Sequence, residues 1–417
     1  MTLFTARSRR GLAAAIALTG AAALALTGCA GTAAEADGDV IKIGVMGDIT
    51  SQSQTSYSGI PRVIELAVEE LNASGGIGGV PVEIVECDLQ GVPDQATRCA
   101  RDMITSGVTA VLAQVSFGIE KVPPVFEQAK IPYFPAYTLS AADMESEASF
   151  PVVPGILSQM GAAWLSAQEE CERPVVVSLQ GPTTDYMKEL VTIGAQAGGG
   201  IVPRFVFAPL NTTDYAPVAA EVVADNPDCI MPYMSETLNS VFYPALEQTG
   251  WKERSPENHL VGYQGGVYTQ KILTDFPELL DGLRAVDMSR PFNDPLWAGF
   301  NAMIDELKDD GLTNLTSSFT KHSYINFTAW VNAVKQVQEA GDAVTNETVF
   351  DVFATSDGID VGNFTAPFTT SNSGDFERWP RFFNTSLILE EFRDGDIVQL
   401  NDGEFVDIGP DLAAVVD

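Results

Sequence analysis

Hydrophobic and polar positions follow a clear order between residues 41 and 88. Residues 41–46 are rich in β-branched apolar side chains, which is typical of a strand buried on both faces of a parallel sheet. After a polar stretch, apolar side chains recur at helical spacing from 60 to 71, and Gly75-Gly76 gives a strong helix-ending signal. A second strand is predicted at 81–86. The segment therefore predicts one strand–helix–strand unit, which crosses over right-handedly into a parallel sheet.

The same alternation continues along the chain. Strands are predicted at 109–114 and 131–136, and near residue 152 the pattern begins afresh. The second set has predicted strands at 174–179, 201–207, 229–233, 260–264 and 283–287. It is followed by three predicted helices at 295–308, 322–340 and 346–354, and by a hairpin of strands at 384–392 and 396–400 around Asp394-Gly395. Two similar sets indicate two α/β lobes with Rossmann-like parallel sheets.

The loops at the carboxyl ends of the predicted strands are the first place to look for function. In open parallel sheets ligands bind beyond these ends. The loop at 48–58, which follows the first predicted strand, is therefore the leading candidate.

The first 29 residues indicate export. Three arginines precede a short apolar run at 12–26, which is the arrangement of a bacterial signal peptide and is too short for a membrane span. The run ends in Leu26-Thr27-Gly28-Cys29, which resembles the lipobox of bacterial lipoproteins; the alternative is an ordinary signal peptide with a chance cysteine. We expect a signal peptide at 1–28, lipidation of Cys29, a tether at 29–39, and a lipid-anchored protein on the extracellular face of the cytoplasmic membrane.

Composition narrows the class of partner. The 417 residues are 45% hydrophobic, which is enough for real cores, and the formal net charge is −33. Nucleic acid is therefore not expected as a partner. So acidic a balance is typical of a well-solvated surface, and recruitment of a basic ligand is the alternative.

Four cysteines follow Cys29, and an even number in an oxidising compartment favours disulfides. Cys87 ends a predicted strand and Cys99 lies on the next helix, so these two are the nearest pair. Cys171 and Cys229 both lie at the amino ends of predicted strands. No CxxC pair occurs, and the two histidines are far apart in sequence, so a zinc site or a Cys/His nucleophile is poorly supported and no cofactor or metal is expected.

Several segments carry a resemblance to a known family. They are IKIGVMGDIT with SYSG, NASGGIGGVPVEIVECD, VLAQVSFG, IPYFPAYTLS and HLVGYQGG, and their order and spacing are more specific than any one of them. The chain after residue 39 resembles the type I periplasmic (extracellular) solute-binding proteins that serve ABC importers of branched-chain amino acids and related small molecules.

This resemblance implies two lobes joined by three hinge crossings, near residues 153, 288 and 367. Lobe 1 would comprise 40–153 and 289–366, and lobe 2 would comprise 154–288 and 367–417. The ligand would close the cleft between the lobes, and the partners would be a small solute and an ABC transporter permease. We expect a monomer.

The resemblance also implies a set of ligand-binding positions at strand ends of both lobes. They are Tyr57, Ser116, Ala136, Tyr137, Thr138, Tyr186, Ser235 and Gln264, with Met234 or Glu236 as alternatives beside Ser235. In the family a hydroxyl and backbone amides of the first lobe hold the ligand carboxylate. The competing interpretation is structural: Ser116 and Thr138 cap helices, the tyrosines pack, and Gln264 makes an internal hydrogen bond. If the family match holds, Ser116, Thr138, Tyr186 and Gln264 share one crevice.

One departure from the family affects the choice of ligand. Gln264 stands where amino-acid binders of this family carry a Glu that pairs with the ligand ammonium. An amide offers no charge, so either Asp185 or Glu236 supplies the carboxylate or the ligand has no ammonium. A branched-chain amino acid, a related amino acid, a carboxylate and an amide all remain open as ligands.

Other functional classes are less well supported. No nucleophile elbow, zinc motif or phosphate-binding glycine loop appears, so we expect no enzyme; a hydrolase using cleft carboxylates is the remaining enzymatic alternative. A ligand sensor of the same fold is the other alternative. It would need a separate signalling partner.

Overall fold

The computed structural model describes residues 40–50, 56–114, 116, 119–138, 140–181, 183–371 and 376–416. The expected signal peptide, Cys29 and the tether lie outside these residues. The described chain contains two sheets, each with helices packed on it.

The first sheet is entirely parallel and has the strand order β2-β1-β3-β4. Its strands are β1 (Ile41–Gly47), β2 (Val82–Asp88), β3 (Val111–Ala113) and β4 (Tyr133–Pro135). The central strand β1 is buried almost throughout, as its run of β-branched residues predicts.

The second sheet has the order β11-β10-β9-β8-β7-β5-β6, with β12 also pairing with β10. Its strands are β5 (Val175–Leu179), β6 (Arg204–Ala208), β7 (Cys229–Tyr233), β8 (His259–Gly262), β9 (Arg284–Asp287), β10 (Ser386–Arg393), β11 (Asp396–Gln399) and β12 (Val406–Asp407). Strands β5 to β9 are parallel, and β10 joins β9 antiparallel. The predicted two-lobed α/β fold with parallel sheets is confirmed.

Helices connect and cover the strands. In chain order they are α1 (Gly59–Ala73), α2 (Pro93–Ser106), α3 (Pro123–Ala129), α4 (Ala141–Glu145), α5 (Gly155–Gln168), α6 (Thr184–Ala197), α7 (Ala216–Val222), α8 (Glu236–Glu247), α9 (Trp251–Arg254), α10 (Gln270–Asp275), α11 (Pro277–Leu280), α12 (Ala298–Leu307), α13 (Ser318–Glu339), α14 (Asn346–Ala354) and α15 (Gly409–Val416). Among the described residues, no helix combines the length and apolar character needed to cross a membrane.

Helix α1 illustrates how sequence signals set the element bounds. It buries a continuous apolar face that includes Ile60, Val63 and Ile64. The chain leaves the helix through Gly75 and Gly76, whose φ angles of 107° and 73° are in the region that favours glycine. The strand–helix–strand unit therefore forms where the sequence predicts it.

The three late helices, α12 to α14, return to the first sheet. The Trp330 indole N–H of α13 donates to Thr109 Oγ1 at 3.1 Å, and Asn326 Nδ2 donates to Pro135 O at 3.2 Å. Both acceptors lie beside strands of the first sheet, so α13 covers one of its faces.

The chain passes between the two sheets three times. The first passage leads into α5, and the other two are joined by an isolated antiparallel bridge between Ser289 and Thr365. Before the third passage is complete, the chain still lies beside the first sheet: Phe383 stacks on Phe150 at 6.5 Å, and Arg381 N donates to Met144 O. The second sheet resumes only at β10.

Both disulfides join elements within one lobe. Cys87 at the end of β2 is bonded to Cys99 on α2, and Cys171 is bonded to Cys229 at the start of β7. These are the pairs that the sequence brings closest. The first lies near the carboxyl end of β2, and the second lies at the amino end of β7.

Candidate functional site

A cavity of about 190 Å³ lies where the carboxyl ends of strands from both sheets meet. Its wall is formed by Asp48, Tyr57, Ser116, Tyr137, Gln159, Ser178, Leu179, Gly181, Thr183, Thr184, Met187, Leu210, Tyr233, Met234, Ser235, Leu238, Tyr263 and Phe319. Asp48, Ser116 and Tyr137 follow strands of the first sheet, whereas Ser178 and Tyr233 end strands of the second. This is the place where open parallel sheets bind ligands.

A larger groove, of about 780 Å³, lies at the opposite ends of the second-sheet strands. It borders the Cys171–Cys229 disulfide and is lined mainly by charged side chains, most of them acidic. Exposed acidic side chains are ordinary on so acidic a chain, and the groove is formed by one lobe only. The cavity between the lobes is therefore the candidate site.

Asp48 is the only carboxylate among the described residues of the cavity wall. It is the first residue after β1 and its side chain is buried, with 1% of the residue exposed. Its Oδ1 accepts hydrogen bonds from Gly91 N at 2.8 Å and from Ser116 Oγ at 2.9 Å. Burial raises the pKa of Asp48; these two hydrogen bonds oppose that rise, and the nearby charge of Asp88 adds to it.

A chain of hydrogen bonds links Gln159, which α5 places in the wall, to Tyr137 and Ser158. Ser158 Oγ donates to Gly155 O at 2.8 Å, so the Tyr137 hydroxyl, 3.0 Å away, donates to Ser158. The same Tyr137 oxygen then accepts from Gln159 Nε2 at 3.2 Å. Gln159 Oε1 is left buried without a hydrogen-bond partner in the described part of the chain. Burial raises the pKa of Tyr137 to about 12.

Aromatic rings from both lobes enclose the cavity. Phe319 of α13 meets Tyr57 and Tyr137 edge to face, at centroid distances of 5.7 and 5.4 Å. On the side of the second sheet, Tyr233 and Tyr263 stack at 4.8 Å. The Tyr233 hydroxyl donates to Gln159 O at 2.6 Å, which joins β7 to α5. The walls are thus largely apolar, with a few fixed polar atoms.

Four of the eight predicted positions border this cavity: Tyr57, Ser116, Tyr137 and Ser235. Met234, an alternative beside Ser235, borders it as well. Whether any of them contacts a ligand stays a prediction. Their placement at strand ends of both lobes agrees with the expected cleft.

The other four positions do not border the cavity. Ala136 is buried, and its carbonyl oxygen lies 2.8 Å from His322 Nδ1. Thr138 is fully buried, and its Oγ1 accepts from Ile156 N at 3.1 Å, so it caps the start of α5. This capping role is the structural interpretation that the sequence left open for Thr138.

Tyr186 and Gln264 are likewise not among the residues that line this cavity. Tyr186 is half-buried; burial raises its pKa to about 12, while neighbouring Trp379 and Arg378 limit the rise. Gln264 is fully buried, and neither Oε1 nor Nε2 has a hydrogen-bond partner among the described residues. That these two share one crevice with Ser116 and Thr138 stays a prediction.

The two carboxylates suggested as replacements for the family Glu also lie outside the cavity wall. Asp185 is exposed and pairs with Lys188 at 3.4 Å. Glu236 accepts from Thr269 Oγ1 at 2.7 Å and borders other grooves. The carboxylate of this cavity is Asp48. It begins the loop at 48–58, which the sequence makes the leading candidate, but it is not one of the eight predicted ligand-binding positions. Its place directly after the first strand was the available signal.

Comparisons with known proteins agree with this geometry. The family model described as periplasmic binding protein matches residues 40–378. Among solved structures, a leucine binding protein from Thermotoga maritima has 15% identity and a TM-score of 0.64, covering 88% of this chain and 99% of its own. An ABC transporter substrate-binding protein from Sphaerobacter thermophilus has 20% identity and a TM-score of 0.70, covering 90% and 100%.

A third solved structure contains a ligand that is not an amino acid. It is an ABC transporter solute binding protein from R. palustris in complex with benzoate, with 16% identity and a TM-score of 0.66, covering 88% of this chain and 98% of its own. Identities this low establish the shared fold alone. With the family model matching most of the chain, however, the assignment is direct: this chain belongs to the periplasmic binding protein family.

Proposed function

We propose that this protein is the lipid-anchored solute-binding component of an ABC importer. It captures one small solute between its two lobes on the extracellular face of the cytoplasmic membrane and delivers it to a permease. The lobes are 40–153 with 289–366, and 154–288 with 367–417. The observation that carries the proposal is the cavity lined by strand ends of both sheets. A solute that touches both walls stabilises the closed arrangement, and a permease can recognise that arrangement.

The proposal involves binding without chemistry. An amino acid, a carboxylate and an amide are the solute classes that the family resemblance suggests. Thermal unfolding of the mature protein with a panel of these solutes tests it, because a ligand that binds only the native state raises the melting temperature. Small-angle scattering of the same samples should show a smaller radius of gyration with the solute that stabilises the protein.

A cavity-filling variant shows whether the stabilisation arises in this cavity. Ser235 borders the cavity and makes no side-chain cap on α8, so Ser235→Trp fills space without removing a hydrogen bond of the helix. We expect it to abolish the ligand-induced rise in melting temperature. Thr237→Trp, on an exposed position of the same helix, is the matched control. Equal rises in both variants would place the binding site elsewhere.

The lipid anchor has its own test. Cys29→Ser removes the sulfur that would be lipidated, and we expect the variant to leave the membrane fraction for the medium or the soluble fraction. Detergent phase partitioning of wild type and variant measures the change. A wild-type protein that partitions into the aqueous phase contradicts the anchor and leaves the solute-binding proposal intact.

A further inference from the structure

Four hydroxyl groups of the cavity wall donate their protons within the protein. Ser116 donates to Asp48 Oδ1 at 2.9 Å, and Ser178 donates to Tyr233 O at 2.9 Å. Tyr233 donates to Gln159 O at 2.6 Å, and Tyr137 donates to Ser158. These four groups present lone pairs toward a ligand, and a ligand carboxylate, which only accepts hydrogen bonds, gains nothing from them.

Two strong acceptors of the wall remain available. Asp48 has two hydrogen bonds to its Oδ1, whereas its Oδ2 has no hydrogen-bond partner in the described chain. Gln159 Oε1 is buried and has no partner there either, while its Nε2 donates to the Tyr137 hydroxyl. A buried acceptor left without a donor is costly, so Gln159 Oε1 favours a ligand that brings N–H groups, and the charge of Asp48 favours one that is cationic.

The charge of the wall points the same way. None of its described residues is Lys, Arg or His, and the sequence has no basic residue at the undescribed positions 51–55, 115, 117–118 and 139. The one charged side chain is the carboxylate of Asp48. Rings of Tyr57, Tyr137 and Phe319 line one side of the cavity, and the Tyr233–Tyr263 stack lines the other. The faces of such rings stabilise a desolvated organic cation.

From these observations we propose that the solute is a small organic amine, bound as its ammonium ion without need of a carboxylate. Asp48 Oδ2 and Gln159 Oε1 accept hydrogen bonds from the ammonium, and the aromatic walls enclose its carbon skeleton. The inference rests on the proposed solute-binding function and assigns it a ligand outside the classes that the family resemblance suggests. It also explains how the site dispenses with a carboxylate at Gln264, because the first lobe supplies the negative charge instead.

The assignment is tested with sets of ligands that share one carbon skeleton and differ only in their charged groups. Calorimetry on the mature protein compares 2-phenylethylamine, phenylalanine and 3-phenylpropionate, and likewise isopentylamine, leucine and 4-methylpentanoate. We expect an amine to bind at least about tenfold more tightly than the acid of the same skeleton, since a buried ion pair is gained only by the amine. Binding of the amino acid but not of the amine shows that a carboxylate is required and overturns the proposal.

Variants connect the affinity to the two acceptors. Asp48→Asn keeps the shape and an acceptor oxygen for Gly91 and Ser116, and we expect it to weaken amine binding by about tenfold or more. Asp185→Asn, which removes an exposed carboxylate outside the wall, should leave the affinity unchanged. Gln159→Glu adds a second negative charge at the free acceptor and should tighten amine binding, which provides a test independent of any folding defect of Asp48→Asn.

The outcomes separate this inference from the function on which it rests. Tight binding of an amine-free carboxylate, unaffected by Asp48→Asn, overturns the ammonium assignment and supports solute binding in general. Amine binding that responds equally to Asp48→Asn and Asp185→Asn also overturns it, because the effect would then be one of overall charge. Failure of amines, amino acids and acids alike to bind contradicts both proposals.

Discussion

At the scale of single residues, the buried carboxylate of Asp48 lowers the stability of the ligand-free fold. Burial raises its pKa above the ordinary value of 3.8, which means that the fold favours its protonated form. Its contribution to stability is therefore full below pH 3.8 and is lost as the pH rises through the folded-state pKa. At neutral pH the ligand-free protein holds a carboxylate that the fold disfavours, as binding sites often do.

We expect Asp48→Asn to raise the urea midpoint of the ligand-free protein at pH 7, because it removes the charge and keeps an acceptor for Gly91 and Ser116. The gain should become smaller as the pH is lowered toward 4, where Asp48 itself becomes protonated. Equilibrium unfolding in urea at pH 7, 6 and 5 measures it. A lower midpoint at pH 7 would mean that the ionic hydrogen bonds outweigh the cost of burial.

The sequence identifies the loops that border the cavity more readily than the individual side chains. Tyr137 borders the cavity, whereas its neighbour Thr138 accepts a hydrogen bond from the backbone at the start of α5. Tyr263 lines the cavity as well, and its neighbour Gln264 is not among the lining residues. A family match that is uncertain by one residue identifies a loop, and which of its side chains contacts a ligand stays a prediction.

At the scale of elements, the apolar periodicity predicted most strands and helices to within a few residues. The misses have specific causes. Predicted strand 201–207 begins at Arg204. The sequence near 271–280 predicts one helix, whereas the structure has α10 and α11 there, with Pro277 starting the second. Helix α15 was not predicted, because a distant contact helps to hold it: Trp164 Nε1 donates to Asp411 Oδ2 at 2.9 Å.

Helix α13 and strand β9 are joined by a buried ion pair beside the passage between the lobes. Lys321 Nζ lies 3.4 Å from Asp287 Oδ2, and both side chains are fully buried. Burial opposes ionisation of Asp287, but Lys321 and then His322 outweigh it and hold the pKa of Asp287 well below its ordinary value. Stability from this carboxylate is present above pH 3.8 and is lost as the pH falls through its folded-state pKa.

Lys321→Met should lower the free energy of unfolding by about 3 to 5 kcal/mol, because Asp287 would be left buried without its ammonium partner. Glu390 is buried beside this pair, but it is acidic and cannot replace the positive charge of Lys321. Urea unfolding measures the loss. The double variant Lys321→Met/Asp287→Asn should recover much of it, and a double variant as unstable as the single one would assign the loss to packing instead.

At the scale of the whole molecule, the acidic net charge favours a cationic solute, which is the alternative that composition alone left open. A formal net charge of −33 both solvates the surface and attracts cations toward the chain. The wall of the cavity between the lobes contains one carboxylate and, among its described residues, no basic side chain. The two observations come from different parts of the protein and favour the same kind of solute.

Long-range attraction acts on the rate of association, and this gives a test that is separate from affinity at the site. We expect the association rate constant of the bound amine to fall about tenfold or more between 10 mM and 1 M NaCl, since the Debye length shrinks from about 30 Å to about 3 Å. Stopped-flow fluorescence measures the rates. An uncharged amide of the same skeleton is the control and should associate at a rate that salt barely changes; equal salt dependence for both would show that the surface charge does not guide the ligand.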